Sequence, residues 1–123
     1  MATRVHTLPK EERLSSRKDI SDLLARGIFC DAPGKLRFCY RKDTGSGLNR
    51  IMVSVPKRYF KRAVRRNLLK RRIRESYRKQ KFGLEGTGTD IMFIYSGKEI
   101  MPYADIHESV GTIIKKINCN ERR

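Results

Sequence analysis

The chain has 123 residues and a mass of 14.4 kDa, enough for one domain with its own core, predicted to span 1–123. Lys and Arg number 29 against 13 Asp and Glu, a formal net charge of +16. Such a charge makes copies repel one another and favours a polyanionic partner, nucleic acid above all, over a merely soluble basic protein. No run reaches the roughly 18 apolar residues of a membrane span, and the opening stretch lacks the apolar segment of a secretory signal. Membrane partners are therefore not expected, and the cytoplasm is the expected location. Cys30, Cys39 and Cys119 are odd in number and widely spaced, which predicts free thiols rather than a disulfide framework or a zinc site.

Residues 1–14 show little periodicity and are predicted to be an irregular basic arm. Ser16, with Asp19 three residues later, opens a first helix. Ile20, Leu23 and Leu24 give it an apolar face, and Gly27 is a natural stop. A short strand is predicted around 28–30, then a turn at Ala32-Pro33-Gly34. Leu36, Phe38 and Tyr40 alternate with Arg37, Cys39 and Arg41, the period of a strand. Residues 43–49 read as a loop by composition, and 50–55 as a compact strand closed by Pro56. Residues 59–81 contain no Gly or Pro and many Arg, Lys and Leu, which predicts one long helix. A glycine-rich loop over 82–89 leads to an apolar strand at 90–95, predicted to be buried on both faces. The last helix is predicted over 105–118, with Ile106, Val110, Ile113, Ile114 and Ile117 on one face. The order α-β-β-β-α-β-α predicts an α+β sandwich, helices laid on one small mixed sheet.

The charge is concentrated. Residues 57–81 hold thirteen of the basic side chains and one acid, Glu75, a local charge of +12. On a helical wheel Leu69, Ile73 and Tyr77 form the ridge that docks on the sheet, with Ala63 near the same side. Basic residues crowd both edges of that ridge. A merely solvated helix would balance them with acids at i+4, whereas Arg62, Arg66 and Lys70 repel one another at that spacing. A partner that supplies counter-charge resolves the conflict, and arginine's planar fork suits phosphate. A membrane-surface helix is disfavoured because the apolar ridge is committed to the core. Asn67 sits inside the run as either a plain surface residue or a neutral donor and acceptor between phosphates or 2′-hydroxyls.

The segment VPKRYFKRAVRRNLLKRRIRES, over 55–76, resembles the signature of the bacterial ribonuclease P protein subunit. In that family a Lys-Lys or Lys-Arg pair after a strand leads into A-V-x-R-N-R-x-K-R-x-x-R-E. Lys57-Arg58, Ala63-Val64, Arg66-Asn67, Lys70-Arg71 and Arg74-Glu75 match it here. The resemblance implies a fold like the second domain of ribosomal protein S5, with a left-handed β-α-β crossover through the basic helix. It implies a non-catalytic subunit of an endoribonuclease that removes the 5′ leader of precursor tRNA. The catalyst is then an RNA subunit that requires Mg2+, and the protein itself binds no cofactor or metal. Contacts to the RNA subunit fall to Lys57, Arg58, Lys61, Arg62, Arg65, Arg66, Asn67, Lys70, Arg71 and Arg74. A cleft for the single-stranded leader falls to Phe38 and Tyr40 on the second strand, with Ile20 and Leu24 of the first helix beside it. Two departures stand out. Leu68 replaces the second Arg of the Arg-Asn-Arg core, where Arg65 or Arg72 is placed to compensate, and Ile20 and Leu24 stand where the family often carries Phe.

The residues agree with a binder. No D-x-D or H-x-H spacing occurs, and the acids are scattered along the chain. The expected partners are the RNA subunit and precursor tRNA. The main alternative is a ribosomal or other structural RNA-binding protein without an enzymatic complex. A DNA-architectural protein would bring wedges or a dimer interface, neither of which is evident, so DNA is not an expected partner.

Overall fold

The computed structural model describes residues 8–32 and 34–119. Three helices and four strands follow the expected order: α1 (Arg17–Arg26), β1 (Ile28–Asp31), β2 (Leu36–Arg41), β3 (Arg50–Ser54), α2 (Ala63–Gln80), β4 (Asp90–Tyr95) and α3 (Tyr103–Cys119). The strands form one mixed sheet in the order β1-β2-β4-β3. β1 and β2 pair antiparallel, as do β2 and β4, whereas β3 runs parallel to β4 and reaches it through α2. Pro33 of the predicted turn lies outside the described residues.

The strand alternation divides the core in two. Leu36, Phe38, Tyr40, Ile51, Val53, Ile91, Phe93 and Tyr95 point to one face and pack against Leu69, Ile73 and Tyr77 of α2 and the isoleucine face of α3. Cys39 and Met92 point to the other face, where Leu14 and Leu23 of the arm and α1 cover them. Both central strands are therefore sandwiched between layers, and the apolar run of β4 is buried along most of its length.

Local chemistry sets the ends of α1. Ser16 caps it, its Oγ accepting from the Asp19 amide at 3.4 Å. Gly27 ends it for a reason the sequence did not supply. Its φ is −74°, so no left-handed conformation is needed. A Cβ there would stand 2.4 Å from the Leu23 carbonyl and 2.5 Å from the Cys39 sulfur. The glycine is a spacer that lets the chain turn from α1 directly into β1.

The part of the irregular arm that is described packs along the sheet edge. Residues 1–7 lie outside the described residues, but 8–14 are ordered on the sheet. Lys10–Glu12 form a 3-10 turn, Arg13 bridges in parallel to Ile51, and the Leu14 amide donates to the Ile51 carbonyl at 2.7 Å. Leu14 is buried, and Glu12 accepts from Lys81 Nζ at 3.0 Å.

Cys39 shows how closed the α1 layer is. Burial, with the Cys30 charge second, pushes its thiol up to about 11. Only the thiolate is nucleophilic. A maleimide reagent at neutral pH is therefore expected to modify exposed Cys119 rapidly and to reach Cys39 only on unfolding, as counted by the mass of the intact protein. The folded thiol keeps its proton to higher pH than an unfolded one, whose pKa is about 8.5. This group's contribution is thus constant below that pH and is lost as pH rises towards 11.

Candidate nucleic-acid interface

The basic segment is not one continuous helix. α2 begins at Ala63, and 57–62 form a turn because Phe60 is drawn into the core, edge-on to Tyr95 with ring centroids 5.8 Å apart. Lys57, Arg58, Lys61 and Arg62 are therefore presented by a loop, with Arg62 at the N-cap position. Leu69, Ile73 and Tyr77 make the buried ridge as expected, joined by Ser76. Ala63 does not join it: Ala63 and Val64 are both exposed.

The cations differ in what they already hold. Arg66 folds back and donates to the Phe60 and Lys61 carbonyls at 2.6 and 2.9 Å, fixing the loop that precedes its own helix. Arg72 donates to the Met101 carbonyl at 2.6 Å and ties α2 to the approach of α3, which engages one nitrogen of its fork. Arg78 pairs with Glu75, which holds that carboxyl below its ordinary range. Lys81 reaches Glu12, and the Arg58 guanidinium lies 4.9 Å above the Tyr59 ring. By contrast, Lys57, Lys61, Arg62, Arg65, Lys70, Arg71 and Arg74 make no ion pair or side-chain hydrogen bond among the described residues, nor does Asn67. They form a surface of donors without acceptors.

One part of this surface was hidden in the sequence. Arg13 of the arm comes beside Arg74, and the two line a pocket of about 260 Å³ with Leu14, Ser15, Ile51, Met52 and Val53. Desolvation, and then the Arg13 charge, push the Arg74 pKa down. The two guanidiniums lie along one edge of the sheet there, and no acid lines the pocket. Only a long-range contact reveals this, since sixty residues of chain separate the partners.

Phe38 and Tyr40 are a correction. They are 0% and 2% exposed and lie under α2 and α3, stacked on each other with centroids 5.9 Å apart. No face remains for a base. α1 lies on the opposite side of the sheet, so Ile20 and Leu24 are not neighbours of that face. Ile20 is half-buried against the smaller core cluster, and Leu24 is 47% exposed. The surface beside α1 is built from the other strand parity: Phe29, Arg37, Arg41, Met52, Ser54 and Ile94. Among the described residues no three His, Cys, Asp or Glu side chains stand close enough to hold a metal ion, and no helix is long and apolar enough to cross a membrane.

A family model described as Ribonuclease P matches residues 8–118. The chain belongs to the ribonuclease P protein family. Among named relatives, the ribonuclease P protein component of Porphyromonas gingivalis (strain ATCC 33277) is 40% identical over 77 residues. That match covers 60% of this chain and spans only 55% of the relative's length. The component from Borrelia hermsii is 36% identical over 111 residues, covering 88% of this chain and 91% of its own. Among solved structures, the RNase P protein from Thermotoga maritima is 27% identical with a TM-score of 0.72, covering 85% of this chain and 96% of that one. The RNase P protein of Staphylococcus aureus, at 24% identity and a TM-score of 0.71, shares the fold. The Ribonuclease P match takes in α1, the sheet, the basic helix and residues 8–14 of the arm.

Proposed function

We propose that the chain is the protein subunit of ribonuclease P. In this reading it binds the catalytic RNA subunit through the open cations of the 57–62 loop and α2, and it holds the 5′ leader of precursor tRNA on the sheet face beside α1. It contributes no catalytic group of its own. The observation that carries the reading is the surface of unpaired Arg and Lys in a chain of this family, a surface that lacks a counter-charge until phosphates arrive. The Arg13–Arg74 pair fits the same need, because a phosphate between two guanidiniums relieves their repulsion. In this reading Mg2+ is held by the RNA subunit, where it serves the phosphodiester chemistry. Three free thiols fit a reducing cytoplasm, where tRNA is matured.

The test is reconstitution. Protein alone, with Mg2+ and precursor tRNA, is expected to leave the leader intact, and adding it to the RNA subunit is expected to raise 5′ processing. Site-specific cleavage by RNA-free protein overturns the non-catalytic assignment. No gain over RNA alone favours a structural RNA-binding protein instead. Leu68→Arg adds a guanidinium on α2 between Arg65 and Arg72, and is expected to tighten RNA-subunit binding and steepen its log–log salt dependence by about one. An unchanged slope in a binding titration would place position 68 outside the interface.

A further inference from the structure

We propose that Phe29 is the platform on which one base of the 5′ leader stacks, flanked by Arg37 and Arg41. This inference rests on the reading above, in which the leader lies on the α1 side of the sheet, and it names the side chain that grips it. Phe29 is 50% exposed and makes no ring contact among the described residues. It belongs to neither core cluster. Its register partner is Cys39, so the ring rises from the face that α1 partly covers. The Cys39 thiol itself donates to the Leu23 carbonyl of α1 at 3.5 Å.

Arg37 and Arg41 lie two residues to either side of Cys39 and share its face, diagonal to Phe29. Diagonal neighbours across a strand pair are about 7–8 Å apart, within reach of an aromatic ring and a long side chain. Each arginine is steadied by an acid. The Arg37 Nε donates to Asp31 at 2.8 Å, and an Arg41 Nη stands 4.0 Å from Asp22. One fork contact apiece leaves other N–H groups of both arginines for phosphate oxygens. An aromatic face between two such forks is the arrangement that binds single-stranded nucleic acid: bases stack and backbone phosphates meet the cations. The half-exposed ring could also meet a second copy of the chain, but a net charge of +16 opposes that pairing and favours a polyanion.

The experiment uses holoenzymes assembled on the RNA subunit with wild-type, Phe29→Ala and Phe29→Tyr protein. Affinity is measured for precursor tRNA and for mature tRNA, with 2-aminopurine placed at each leader position in turn. Phe29→Ala is expected to weaken precursor binding roughly tenfold and to leave mature tRNA unchanged, with Phe29→Tyr near wild type. Stacking quenches 2-aminopurine, so one leader position is expected to regain fluorescence in Phe29→Ala and no other. Wild-type leader preference that survives Phe29→Ala intact overturns the inference and leaves the proposed function standing. Equal losses for both substrates overturn it too, because Phe29 then serves assembly. A change in self-association with leader affinity unchanged assigns the surface to a second copy and overturns it. A wild-type holoenzyme that binds precursor no better than RNA alone defeats the functional reading itself.

Discussion

Replacing Arg50 with methionine is expected to lower the unfolding free energy by about 3–5 kcal/mol. Arg50 opens β3, and its guanidinium is shared between two acids on different elements. Its Nε and one Nη donate to the two carboxylate oxygens of Asp90, both at 2.9 Å, and the other Nη donates to Asp19 of α1 at 2.9 Å. Those bonds, the Asp90 bond foremost, raise the arginine's pKa against the opposing effect of burial. Asp90 is buried, so losing the guanidinium leaves a carboxylate with neither water nor its counter-charge. The partner substitution tests the cause. Adding Asp90→Leu to Arg50→Met removes the stranded charge and is expected to recover most of the loss. Asp19 is more exposed, and Asp19→Ala is expected to cost only about 0–1 kcal/mol. Urea unfolding with a constant m-value would measure all three. A small effect of Arg50→Met alone would show that Asp90 finds another partner.

Removing two open cations is expected to have the largest effect on binding. Arg65 and Arg71 are exposed on α2 and hold nothing in the free protein. Each is expected to contribute about 1–3 kcal/mol to affinity for the RNA subunit and about one unit of log–log salt slope. Arg65→Ala with Arg71→Ala should thus weaken binding by about 2–6 kcal/mol and flatten the slope by about two, with little change in thermal stability. Titrations at four or five salt concentrations would separate the outcomes. An unchanged slope would mean that Arg65 and Arg71 face solvent in the complex.

The element order, the β2 and β4 boundaries, the ridge of α2 and the apolar face of α3 were all legible in the sequence, because each follows from a local period. The start of α2 was not. Residues 59–62 suit a helix by propensity, yet the core has room for the Phe60 ring next to Tyr95, and a burial contact outweighs a few tenths of a kcal/mol of preference. Period two placed Phe38 with Tyr40 on one face, but it cannot say which helix covers that face. The sheet is covered on both sides, so the face beside α1 had to come from the register: Phe29 opposite Cys39, and Cys39 against Leu23. The identity of the basic segment was clear, whereas the difference between Arg65 and Arg66 was not. Both are arginines in one helical turn, and only the path of the preceding loop decides which one turns back to its carbonyls.

The docking of residues 8–14 has a consequence for the protein before it meets RNA. β3 ends the sheet, and an outermost strand offers a row of unused amides and carbonyls on which another molecule can template. Arg13 and Leu14 occupy that row at Ile51, so the chain plugs its own open rim with a short parallel segment. A variant shortened through Leu14 would uncover the rim and the apolar floor behind it together. In high salt, where self-repulsion between such basic molecules is screened, it would be prone to pair β3 edge to edge into insoluble assemblies.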